Sequence, residues 1–125
     1  QDHWFSSYLF NQRGEVYFKL DVDYIQNSAR LGVEEAIFSD PTILKWWIMS
    51  AIVHEGDHVF FKKDRGVPFS QKFDPYEIEP PAYGQQALFL RQAGKYERGR
   101  GNEEVAGKLE DLASKVDVRV ARGFG

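Results

Sequence analysis

Near the middle of the chain stand His54-Glu55-Gly56-Asp57-His58. On a helix, four residues make about 400° of turn and about 6 Å of rise, so the two imidazoles leave the same face. There two ring nitrogens can hold one zinc ion at about 2.0–2.1 Å. Glu55 follows the first histidine and leans beside the ion without binding it, in place to take a proton from a metal-bound water that zinc has already acidified. The pattern arises by chance roughly 0.004 times in a chain of this make-up. The bland alternative is that these are hydrogen-bonded or exposed helix residues. Two ionisable rings and a carboxylate on an otherwise apolar helix are costly without partners or a metal, which weighs against it. Two of the three histidines of the chain lie here, and His3 reads as incidental. With no cysteine, any metal must be held by nitrogen and oxygen.

A catalytic zinc keeps three protein ligands and an open position, so a third ligand must come from elsewhere. The metzincin pattern would place Gly and then His or Asp after the motif. Phe61 and Asp64 stand there, and without the glycine the helix cannot turn sharply, which leaves Asp64 a minor candidate. Asp74-Pro75-Tyr76-Glu77-Ile78-Glu79-Pro80-Pro81-Ala82-Tyr83 offers two better ones, Glu77 lying 19 residues past His58 and Glu79 lying 21. Here the chain resembles the gluzincins, in which a glutamate opening a second helix about twenty residues on completes the site. Glu79 with Ala82 is similar to the Glu-x-x-Ala opening of that helix in small gluzincin-like peptidases, including minigluzincins and peptidases that cleave phage repressors. The resemblance runs from Ile43 to about Leu90 and implies His54, His58 and Glu79 as ligands of one Zn2+ and Glu55 as general base. Glu77 is the alternative ligand, its plainer role being a solvated loop charge or a partner of a ligating histidine. The double proline after Glu79 departs from the usual helix opening.

The function expected on these grounds is a zinc metallopeptidase, an endopeptidase acting on a peptide or protein substrate. Tyr76, Tyr83 and Tyr96 are candidates to stabilise the oxyanion, each also readable as a packing aromatic with a wet hydroxyl. A substrate strand could add to the edge of the 16–23 strand. Two rival readings stand beside this one. The chain could be a catalytically silent zinc-binding module of peptidase ancestry, although such a module has no need of Glu55. It could also be a self-inhibited or partner-regulated peptidase, with a tail such as Gly123-Phe124-Gly125 over the metal.

The elements that must position these groups are read from periodicity. Val16, Phe18, Leu20 and Val22 alternate with Tyr17, Lys19, Asp21 and Asp23, predicting a half-buried strand, the second arm of a hairpin turning at Asn11-Gln12-Arg13-Gly14. Residues 24–38 give no clear reading. Asp40 before Pro41 opens a helix that runs to about Lys63. Apolar almost all round through Ile43, Leu44, Trp46, Trp47, Ile48, Ile52 and Val53, it is expected at the centre of the domain. Residues 64–78 read as loop. Pro80-Pro81 is expected only at a helix start, so a helix from about Glu79 to Arg91 follows, with Ala82 or Tyr83, Gln86 and Leu90 on the side of Glu79. Gly94 to Gly101 reads as a connection, and a last helix from an Asn102 cap to about Ala121 carries the stripe Val105, Leu109, Leu112, Val116 and Val120. The predicted class is α+β and zincin-like: a small antiparallel hairpin or sheet packed on a central zinc helix, with two further helices.

A chain of 125 residues suits one domain, 1–125, that buries a real core. At 42% hydrophobic residues it is too apolar to be disordered. The net charge of −3 gives no electrostatic reason to expect nucleic acid. No apolar run approaches the ~18 residues of a membrane span. The chain opens on Gln1 and its one methionine is Met49, which reads as a trimmed product. A soluble protein is expected, its compartment open with the cytoplasm favoured, and its oligomeric state open.

Overall fold

The computed structural model describes residues 6–10, 13, 15–20 and 40–121. The unread stretch 24–38, His3 and the tail 123–125 lie outside the described residues. Helix α1 spans Pro41–Asp64, and its start is written in the sequence: Asp40 accepts from the backbone N–H of Thr42 at 2.9 Å and of Ile43 at 3.3 Å, with Pro41 at the first helical position. Lys62 and Lys63 lie in its last turn, where the helix dipole favours cations. Gly66 then takes a left-handed φ of 65°, which costs glycine nothing and ends the helix.

Helix α2, Pro75–Gly99, repeats that opening, Asp74 accepting from the Tyr76 N–H at 2.9 Å with Pro75 next. It therefore starts four residues before the expected Glu79, and Pro80 and Pro81 lie inside it. It also runs past the expected end. Gly94 is no loop residue but a close approach: a Cβ there would stand 3.1 Å from Glu110 Cγ and 3.2 Å from the Ala106 carbonyl oxygen on helix α3, Glu103–Ala121. Beyond it Glu97 is buried, accepting from the Trp46 indole at 2.9 Å and from the Asn102 side-chain amide at 2.7 Å. Those bonds fix the last turn of α2 to both neighbouring helices.

The buried core draws Tyr83, Ala87, Leu90 and Ala93 from α2, Leu109, Leu112, Ala113 and Val116 from α3, and Ile43 from α1. Burying a side chain of the size of Leu90 or Leu109 is worth about 1.5–3 kcal/mol. Among the described residues the central helix is thus α2, packed on both α1 and α3, and not α1 as its apolar composition suggested. An apolar count does not say which face is covered. Trp46 and Trp47 of α1 are only half-buried, and Met49 and Phe60 are exposed.

The predicted α+β class is corrected as well: the molecule is mostly helical, and the core among the described residues lies in three helices. Strands β1, Ser6–Phe10, and β2, Val16–Leu20, pair antiparallel with Tyr8 opposite Phe18. Two five-residue strands do not make a sheet layer, and the described side chains of β2, Val16 to Lys19, give no residue to the core cluster. Where side chains of β2 are described, the alternation does not separate a buried from an exposed face: Tyr17 is 52% and Phe18 43% exposed. No helix among the described residues is long and apolar enough to cross a membrane.

Candidate metal centre

Most of what α1 buries is polar. Apart from Ile43 and Ala51, its buried residues are Ser50, His54, Glu55, His58 and Lys62. Ser50, His54, His58 and Lys62 recur every fourth residue, so they form one row along the helix. Taking such groups out of water costs several kcal/mol unless each finds a partner. The partners come from α2 and from the connection before it.

Glu79, in the second turn of α2, brings Oε1 within 2.8 Å of His54 Nε2 and 3.1 Å of His58 Nε2, and the two nitrogens are 3.2 Å apart. Their rings stand nearly perpendicular, at 84°. Three ligands about 2.05 Å from a tetrahedral zinc would be about 3.3 Å apart, so this triangle need open by only a few tenths of an ångström. These are the three side chains that converge as a metal-ligand group among the described residues. Burial alone would push the Glu79 carboxyl up. Hydrogen bonds from His54 and His58, with the charge of those rings when protonated, outweigh it and lower Glu79 from 4.5 to about 2.

Around the triangle the supports differ. His54 Nδ1 lies 3.1 Å from Gln86 Oε1, Gln86 Nε2 donates to Ser50 Oγ at 3.1 Å, and Ser50 donates to the Trp47 carbonyl at 2.6 Å. Tyr83 stands edge-on to the His54 ring, centroids 4.4 Å apart. His58 Nδ1 is buried with no hydrogen-bond partner. Lys62, one turn past His58, donates to the Phe69 carbonyl at 2.9 Å and so holds the connection leading to α2.

Of the residues singled out by sequence, His54, His58 and Glu79 come together, and Glu55 is buried on the same turn. Glu77 is exposed in the first turn of α2 and Asp64 is exposed at the end of α1; neither joins the group. Tyr76 is exposed, and Tyr83 is buried against His54. Tyr96 lies 17 residues beyond Glu79 along α2, about 25 Å away, where it accepts from Arg100. Sequence reasoning gave no role to Ser50, Gln86 or Lys62. Their signals were the four-residue step through the two histidines and the place of Gln86 seven residues after Glu79, two helical turns along the same side. Two imidazole nitrogens, one carboxylate oxygen and no thiolate make a donor set that could hold a divalent metal of borderline hardness. Comparison of the chain with protein-family profiles, with curated proteins and with solved structures finds no match.

Proposed function

We propose that the chain is a zinc-dependent metallopeptidase of gluzincin type, with His54, His58 and Glu79 as zinc ligands and Glu55 as general base. The observation that carries this reading is the meeting of His54 Nε2, His58 Nε2 and Glu79 Oε1 within 2.8–3.2 Å, with Glu55 on the residue after the first histidine. Catalytic zinc sites of the two-histidine, one-glutamate kind use this donor set and leave a fourth position open. When bound, zinc supplies Lewis-acid polarisation of a peptide carbonyl and acidifies water. Glu55 takes a proton from the attacking water and returns it to the departing amine. Its burial favours that exchange, because a carboxylate with little competing solvent exchanges its proton with the reactants. Gluzincin resemblance in the residues 43–90 supports the same assignment.

The test is metal content by mass spectrometry after zinc exposure and dialysis, alongside hydrolysis of heat-denatured casein. Wild type is expected to hold about one zinc and to cleave. Glu55→Gln should keep the zinc and lose about 10²–10⁴ in rate, and His58→Ala should lose the metal. Zinc bound without cleavage would leave a metal-binding module and not a peptidase. A wild-type chain that takes up no zinc would overturn the reading altogether.

A further inference from the structure

We infer that Gln86 and Ser50 are positioning residues of the metal site, holding His54 as the tautomer whose Nε2 lone pair faces the ion. The inference rests on the zinc reading above and adds two residues to it.

Ser50 has a single hydroxyl hydrogen, given to the Trp47 carbonyl at 2.6 Å. Toward Gln86, 3.1 Å away, Ser50 can only accept, so the amide nitrogen of Gln86 faces it. The amide oxygen is thereby turned to His54 Nδ1 at 3.1 Å. A carbonyl oxygen cannot donate, so Nδ1 carries a hydrogen. The metal-binding form of the ring is neutral and has only one, which leaves its Nε2 with a lone pair for the ion.

That lone pair points at Glu79 Oε1, 2.8 Å away, and at His58 Nε2, 3.2 Å away. Lone pairs set this close repel unless a cation lies between them. In the loaded chain the metal is that cation. Ser50 and Gln86 are at most 4% exposed, so water does not compete for these bonds. His58 has no such support at Nδ1, and the orientation is imposed on one ligand only. The plain alternative is that Ser50 and Gln86 are a satisfied polar pair that merely joins α1 to α2.

Zinc affinity by chelator competition separates the two, with thermal melting of the metal-free protein as the control for packing. Gln86→Met, close in volume, is expected to weaken zinc binding 10–100-fold. Ser50→Ala should weaken it less, and should add nothing in the Gln86→Met background, because its effect passes through the amide. Long-range proton–nitrogen NMR of zinc-loaded wild type gives a reading independent of any variant: His54 should coordinate through Nε2 with hydrogen on Nδ1. Coordination through Nδ1, or Gln86→Met zinc affinity within twofold of a zinc-binding wild type, would overturn the inference while leaving the metal site standing. A wild type that binds no zinc would overturn both.

Discussion

Glu79 holds its charge against burial, and that has a measurable consequence in the metal-free protein. Its carboxyl lies at about 2 in the fold, below the ordinary 4.5, because two histidine hydrogen bonds outweigh desolvation. At about 1.4 kcal/mol for each tenfold change in proton affinity, the charged form contributes at most about 3 kcal/mol to stability. For a depressed carboxylate this contribution is complete above the unfolded-state value and is lost as pH falls toward the folded-state value. Replacing the charge by Glu79→Gln should therefore cost up to about 3 kcal/mol at pH 6, less where solvent screens the carboxylate. At pH 3 the wild-type carboxyl retains at most about 1.5 kcal/mol of that advantage, so the gap should fall to about half. Urea unfolding in EDTA, followed by tryptophan fluorescence, measures it, with Glu77→Gln as the exposed control. A gap of the same size at both pH values, or an equal gap for Glu77→Gln, would refute the claim that Glu79 is held charged by the histidines.

Two further substitutions probe how the helices set the site. Asp74→Ala removes the cap of α2 and should cost about 1 kcal/mol in urea unfolding; because the turns that follow carry Glu79, chelator competition should also show weaker zinc binding. Gly94→Val pushes a branched side chain against the Ala106 carbonyl oxygen, already 3.2 Å from where a Cβ would stand, and should cost about 1–3 kcal/mol in the same unfolding assay with the zinc site unaltered.

The pairing of His54 with His58 was legible because its geometry is local. Two histidines four residues apart share a face on any helix, so residue type and spacing were enough. Glu79 needed the resemblance to a family, since nothing in periodicity ranks it above Glu77. Which glutamate meets the histidines is decided by how far α2 has turned when it reaches α1, and that depends on where α2 begins. Pro80-Pro81, expected at the helix start, lies inside α2, because Asp74-Pro75 repeats the pairing of Asp40-Pro41 that opens α1. Gly94 misled for a similar reason, because a glycine in a sequence marks a sharp turn and a close helix contact with the same letter. The fold class failed on β2, whose alternation gives periodicity without telling whether a third layer exists to bury one face.

The two prolines bear on the ligand beside them. Inside a helix each removes one backbone bond: Pro80 cannot donate to the carbonyl of Tyr76, nor Pro81 to that of Glu77. Both acceptors belong to exposed residues of the first turn, where water can take the freed oxygens, so the usual cost of about 3 kcal/mol is reduced at this end of α2. In return, φ is fixed at two successive residues directly after Glu79. Fewer conformations of the unfolded chain then have to be given up to set the carboxylate against His54 and His58. The position of Glu79 is fixed from both sides: by Lys62, which ties down the Phe69 carbonyl in the preceding connection, and by the paired rings that follow. A ligand held in this way needs little rearrangement to accept a cation, which is the condition for a three-residue site on two helices to bind a metal tightly.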